Sequence, residues 1–173
     1  MLLAMLSIAA APVTAQDRPP PHVRPEHDMA RLVEQAAHRS PAIQEWIDRL
    51  EQLDVTVYVR ARAFSQLDLD GRVALLATVG SHRYMVIELA CNRSEVVQMS
   101  TLGHELFHAI EIAEEPSVVN ADTLARLYAR IGVQTGDSRG RRTFESDAAA
   151  KAGQLTRRQL LSNTSPTRNG HGT

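Results

Sequence analysis

The segment 100–116, "STLGHELFHAIEIAEEP", places His104 and His108 four residues apart, with Glu105 directly after the first histidine. On a helix, side chains four apart project from one face, so both imidazoles can meet one metal ion. Glu105 is rotated by about 100° from His104, which suits it poorly as a co-ligand. It is well placed to take a proton from a metal-bound water, the division of labour behind the H-E-x-x-H pattern of zinc hydrolases. The chain has one cysteine, Cys91, so no thiolate cluster is available and the metal must be held by histidine and carboxylate. Cys91 adjoins an apolar run and reads as a partly buried structural thiol.

A catalytic zinc takes three protein ligands plus water, so a third ligand is required. Glu111 lies on the same rigid helix as the histidines, where an in-line donor gives poor tetrahedral geometry. Glu114 and Glu115 read as a solvated face at the helix end, and Asp122 as a first-turn acid of the next helix. His82 falls in a hairpin turn and His171 in the C-terminal tail. Glu145 is the strongest candidate, because it opens a later helix after a loop long enough to turn back. Phe144 precedes it, and Ala148, Ala149, Ala150, Ala152 and Gly153 follow. Such small residues let two helices cross closely. Gly103, which lowers helix propensity by about 1 kcal/mol against alanine, signals the same close approach from the other side. Asp147 is a candidate to orient a ligand histidine through its free ring nitrogen. Tyr128 and His82 are candidate donors to an oxyanion.

The elements that must position these residues follow from pattern. A helix is predicted over about 27–38. A second begins in "SPAIQEWIDRLEQL", with Ser40 as N-cap, Pro41 at the first helical position and Ile43, Trp46, Ile47 and Leu50 on one face. "VTVYVRARA" (55–63), "RVALLATV" (72–79) and "RYMVIELA" (83–90) read as strands, the last two joined by a tight "GSH" turn. The third strand is expected to pair with an extended substrate. "LDLDG" reads as an Asp-Gly turn, since the later ligands of a calcium loop are absent. The motif helix spans 95–114 and stops at Pro116, with Leu102, Leu106, Ala109, Ile110 and Ala113 as its inner side. A helix over 120–132 presents Leu124, Leu127, Tyr128 and Ile131 and stops at Gly132. "VQTGDSRGRR" reads as a polar loop, and a last helix over 143–161 is capped by Thr143. The order ααβββααα predicts an α+β domain with a small, mainly antiparallel three-stranded sheet.

Residues 1–15, "MLLAMLSIAAAPVTA", are uncharged and mostly apolar, too short to span a bilayer and suited to a secretory signal peptide. Residues 16–26 follow as a Pro-rich extended linker, 27–161 as the folded domain and 162–173 as a disordered tail. This organisation predicts a secreted or periplasmic protein with no stable membrane span once the signal is removed. The net charge of −1 gives no electrostatic case for nucleic acid.

"HELFH" followed by a separate helix with "FESDAA" resembles the glutamate zincins (gluzincins), metallopeptidases whose third zinc ligand is a glutamate on a downstream helix. More narrowly, "LGHELFHAIEIAE", then "FESDAA" and a closing "G…RRQL", resembles a set of small bacterial HExxH proteins over roughly residues 54–161. The resemblance implies a zincin-like fold, zinc held by His104, His108 and Glu145, Glu105 as general base, and a protein or peptide substrate. The chain departs from the best-known members in lacking the second subdomain that closes the cleft, and in having no evident oxyanion motif. The expected function is zinc-dependent peptide hydrolysis. The alternatives are a non-catalytic zinc-binding scaffold and a regulatory protease that acts on one partner protein.

Overall fold

The computed structural model describes residues 20–65, 69–138 and 141–163, with 136–138 and 141–143 described by their backbone alone. The expected signal at 1–15, the start of the linker, His171 and all but two residues of the tail lie outside these residues. Among the described residues, no helix is long and apolar enough to cross a membrane.

The elements run β1 (Val23–Pro25), α1 (His27–Arg39), α2 (Pro41–Leu50), β2 (Val55–Arg62), β3 (Gly71–Val79), β4 (His82–Ala90), α3 (Glu95–Ala113), α4 (Ala121–Ile131), β5 (Gly132–Ser138), β6 (Arg141–Ser146) and α5 (Asp147–Ser162). The fold is therefore α+β, as the element pattern predicts. The Ser40 side chain accepts a hydrogen bond from the Ile43 N–H, and Pro41 occupies the first turn of α2. Gly80, with φ of 61°, takes the first position of the two-residue turn between β3 and β4, where a positive φ matches strand twist.

The sheet departs from the expected three antiparallel strands. Its order is β1-β2-β4-β3, with β1 and β4 both parallel to β2 and only β3 antiparallel to β4. Burial explains the order. Met85, Ile87 and Leu89 on one face and Val86, Glu88 and Ala90 on the other are all buried, so β4 is covered on both faces and takes a central position. β3 carries exposed Leu76 and a bulge between Leu75 and Ala77, both features of an edge. The end of the expected linker supplies β1, with Val23 buried; its proline is tolerated because β1 is an edge strand. Residues 133–138 and 141–142 of the expected polar loop lie instead in the paired strands β5 and β6, held by backbone pairing without apolar alternation. The last helix consequently starts later than predicted, and its N-cap is Ser146 rather than Thr143. Helix α5 also runs through Ser162, and the Asn163 amide donates to the Arg39 carbonyl, so the tail begins after these residues.

Val55, Val57, Val59, Met85, Ile87 and Leu89 present one face of the sheet to the helices, against Leu102, Leu106, Ala109 and Ile110 of α3. Trp46 of α2 meets Phe107 edge-on at 5.7 Å. Helix α3 then crosses α5 with almost no side chain between them. A Cβ on Gly103 would lie 2.3 Å from Thr156 Oγ1 and 3.0 Å from its Cβ, and a Cβ on Gly153 would lie 3.2 Å from that of His104. The close approach expected from Gly103 is thus present. The C-terminal carbonyls of α3 and its exit are satisfied by buried Arg83 of β4, which donates to Ala113, Glu115 and Val118. Cys91, expected to be partly buried, is exposed.

The opposite face of the sheet carries a charge ladder. Arg60, Glu88 and Arg72 are cross-strand neighbours, and both arginines, joined by Arg62, donate to the Glu88 carboxylate. Burial pushes that carboxyl upward, yet the hydrogen bonds from the three arginines outweigh it and hold the pKa below its ordinary 4.5. A depressed carboxylate contributes stability that is present above its unfolded pKa and lost as pH falls through the folded one.

Two outcomes follow for urea unfolding. Gly103→Ala is expected to destabilise the protein by at least about 1 kcal/mol, overpacking at Thr156 exceeding the gain in helix propensity. Glu88→Gln is expected to lose roughly 2 kcal/mol at pH 7, since the arginines are partly exposed and partly hydrated. The Glu88→Gln deficit should shrink as pH falls from 4.5, where the unfolded carboxyl takes up its proton, through the lower folded-state pKa, where the native carboxylate is neutralised as well. A deficit that stays constant to low pH would contradict the assignment.

Candidate metal centre

His104 and His108 share one face of α3, their rings 4.8 Å apart and nearly perpendicular. Glu145 reaches both: its Oε2 lies 3.3 Å from His104 Nε2 and its Oε1 3.5 Å from His108 Nε2. All three donor atoms fall within 4.8 Å of one another, and the group is able to hold a metal ion. The two contacts use different oxygens of the carboxylate, and with one donor atom taken from each residue the three converge closely enough to share one cation. His108 is 4% exposed while His104 and Glu145 are 23% and 35% exposed, so the group has a buried floor and an open mouth.

Glu145 arrives by a different route from the one expected. It does not open a helix; it is the penultimate residue of β6, directly before the N-cap of α5. Its approach depends on Gly132, the residue that ends α4 and pairs with Ser146 across the hairpin. A Cβ there would lie 2.3 Å from the Glu145 carbonyl oxygen. The Gly132 backbone is extended, so space rather than handedness requires the glycine. Phe144 stacks flat on Tyr128 at 5.3 Å, fastening the strand to α4. The Ser146 N–H donates to Glu145 Oε1 and fixes the carboxylate.

The rear of the site is organised by Glu111. His108 Nδ1 donates to Glu111 Oε2 at 2.8 Å, and the Tyr128 hydroxyl, 2.9 Å from the same nitrogen, also donates to that oxygen. With Nδ1–H committed to a carboxylate, Nε2 is the ring nitrogen turned toward Glu145, and it becomes a lone-pair donor where a metal displaces its proton. Burial pulls the His108 pKa down, but hydrogen bonds to Glu111 and Glu145 carry it up to about 9. His104 is shifted down, by burial and then by the neighbouring His108 charge. Glu145 is held below its ordinary range, burial being outweighed by the His108 hydrogen bond and the histidine charges. The carboxylate is thus kept ionised beside the two rings, as a metal-ligating carboxylate must be.

Glu105 is buried between α3 and the sheet edge, 5% exposed, and accepts a hydrogen bond from the Val73 backbone of β3. Burial, above all, pushes its pKa up to about 7. A carboxylate with that pKa exchanges protons near neutral pH, as a general base must.

The remaining candidates are elsewhere. Glu114 pairs with Arg49 and Glu115 with Arg130, both at the surface end of α3. Asp122 lies in the first turn of α4, and exposed Asp147 in that of α5. The orienting carboxylate is Glu111, not Asp147. His82 contacts Asp54 and Thr56, of which Thr56 is 1% exposed. The Tyr128 hydroxyl is engaged with His108 Nδ1 and Glu111 Oε2, at the ring nitrogen opposite the one that faces Glu145. Strand β4 has neighbours on both sides and cannot receive a substrate strand; β3 is the edge beside Glu105. Two surface grooves, of about 490 and 560 Å³, flank α1 and touch none of these residues. No family model, curated protein or solved structure matches the chain.

Substituting Glu145→Ala is expected to abolish stoichiometric metal uptake, measured by elemental analysis after dialysis, while leaving the helical far-UV signal intact. Full metal retention would move the third ligand elsewhere.

Proposed function

We propose that the chain is a zinc-dependent metallopeptidase of the glutamate-zincin type, with His104, His108 and Glu145 as metal ligands and Glu105 as general base. The observation that carries this reading is the meeting of the Glu145 carboxylate with both histidine Nε2 atoms, beside a buried carboxylate with raised pKa. Two imidazoles and one carboxylate are a donor set that suits zinc and leaves a coordination position open. When bound, zinc supplies Lewis acidity, lowering the pKa of coordinated water toward ~7 and polarising a substrate carbonyl.

The chain's own groups do the rest. Glu105 accepts the proton of the attacking water at its carboxylate and passes it to the departing amine nitrogen. Edge strand β3 offers its outward backbone groups to an extended peptide, adding a strand beside Glu105. In an antiparallel pair, outward-facing groups recur every second residue. Since Val73 already bonds to Glu105, the next outward position is Leu75, immediately before the bulge.

A second reading, a metal-organised scaffold without turnover, is favoured by the place of Glu145 on a two-stranded hairpin that a metal would pin to α3. Glu105→Gln separates the two. The variant is expected to keep its zinc while hydrolysis of a fluorogenic peptide library falls at least about 100-fold. Equal hydrolysis by the variant would sink the peptidase assignment, and unfolding by chelator with no proteolysis from the native protein would support the scaffold.

A further inference from the structure

Glu111 touches three elements at once. It projects from α3, one turn after His108, and its side chain is 11% exposed. Its Oε2 takes the His108 Nδ1 proton and the Tyr128 hydroxyl of α4. Its Oε1 accepts from Ser146 Oγ at 2.6 Å. Ser146 is the hinge between the strand bearing Glu145 and helix α5: its side-chain oxygen accepts from the Ala149 N–H, and its own N–H holds Glu145 Oε1. One carboxylate thus grips a histidine ligand from behind and, through a serine hydroxyl, the residue next to the carboxylate ligand.

We propose that Glu111 is the positioning residue of the metal centre, setting the ring orientation of His108 and the docking of the Glu145 strand together. The inference rests on the metal-centre reading above and adds to it a residue that binds no metal itself. Both Oε1 and Oε2 are in use, and all three bonds come from His108 or from groups in contact with or next to a ligand residue. A carboxylate serving only to fill space would have no need of this pattern. The charge of Glu111 also raises the basicity of His108 through the shared proton, strengthening the ring as a donor, as outer carboxylates do for zinc-bound histidines. Ser146 acts through it. With Glu111 removed, the serine hydroxyl still caps α5 but no longer ties β6 to α3.

The test measures Zn²⁺ affinity of the full chain by competition with a chromophoric chelator, in the unsubstituted protein and in Glu111→Gln, Glu111→Ala, Ser146→Ala, Glu145→Ala and the Glu111→Ala/Ser146→Ala double variant. Glu111→Gln should weaken zinc binding by about 10-fold and Glu111→Ala by about 100-fold, the range for such outer groups. Ser146→Ala should weaken it several-fold alone and add little in the Glu111→Ala background, because the two act as one unit. Proton NMR of the zinc-loaded protein supplies a readout that a purely structural role would not move. The His108 Nδ1–H resonance, shifted downfield by its carboxylate partner, should move upfield in Glu111→Gln. If the alanine variant does not fold, the isosteric glutamine variant carries the test alone. Unchanged affinity and an unmoved resonance in Glu111→Gln, with binding lost in Glu145→Ala, would overturn the positioning role and leave the metal centre standing. No change in Glu145→Ala would overturn the metal centre and the inference with it.

Discussion

The close crossing of α3 and α5 is the constraint on which the rest of the structure depends. Gly103 against Thr156, and Gly153 against His104, remove the side chains that would hold two helices apart. That contact fixes where α5 begins, and therefore where the strand before it must end. Glu145 stands one residue before the cap of α5, so its distance from the histidines is set by the helix crossing as much as by its own rotamer. Widening the crossing would withdraw the carboxylate from rings that stay rigidly in place on α3.

Around that crossing, buried charges are each matched to a specific partner set. Arg83 satisfies carbonyls where α3 ends, Glu88 gathers three arginines on the outer face of the sheet, and Glu111 gathers a histidine, a tyrosine and a serine. Arg83 and Glu88 fasten the central strand to its surroundings. Glu111 has a different neighbourhood, since every group it holds adjoins the candidate ligands. The same physics, that a buried charge must be paired and hydrogen-bonded, serves the frame in two places and the site in the third.

Much of this was readable from residue types. The i, i+4 histidines and the inner side of α3 follow from helical period, Ser40–Pro41 from capping chemistry, and the glycine at 103 from the cost of placing it in a helix. Strand order was not readable. Local pattern identifies β2, β3 and β4 without naming which two pair, and the default of consecutive pairing fails because β4, buried on both faces, takes a central place. The run "RYMVIELA", apolar at nearly every position, was the available signal for a central strand. The hairpin β5–β6 was hidden because backbone hydrogen bonds and one glycine, rather than apolar alternation, hold it. Helix geometry argues against Glu111 as a ligand but says nothing of its place behind the His108 ring, which depends on Tyr128 and Ser146 arriving from other segments.

The sequence by itself determined that two histidines and a glutamate lie on one buried helix, because helical spacing is a local property that survives any packing. It also pointed to Glu145, through the small residues that follow it. Tertiary structure alone decided that Glu145 meets both rings from a strand rather than a helix, that Glu111 and not Asp147 backs His108, and that β3 is the edge beside Glu105. These are contacts between segments far apart in the chain. Their geometry is settled by close packing and by the need to pair buried polar groups, neither of which leaves a periodic mark on the sequence.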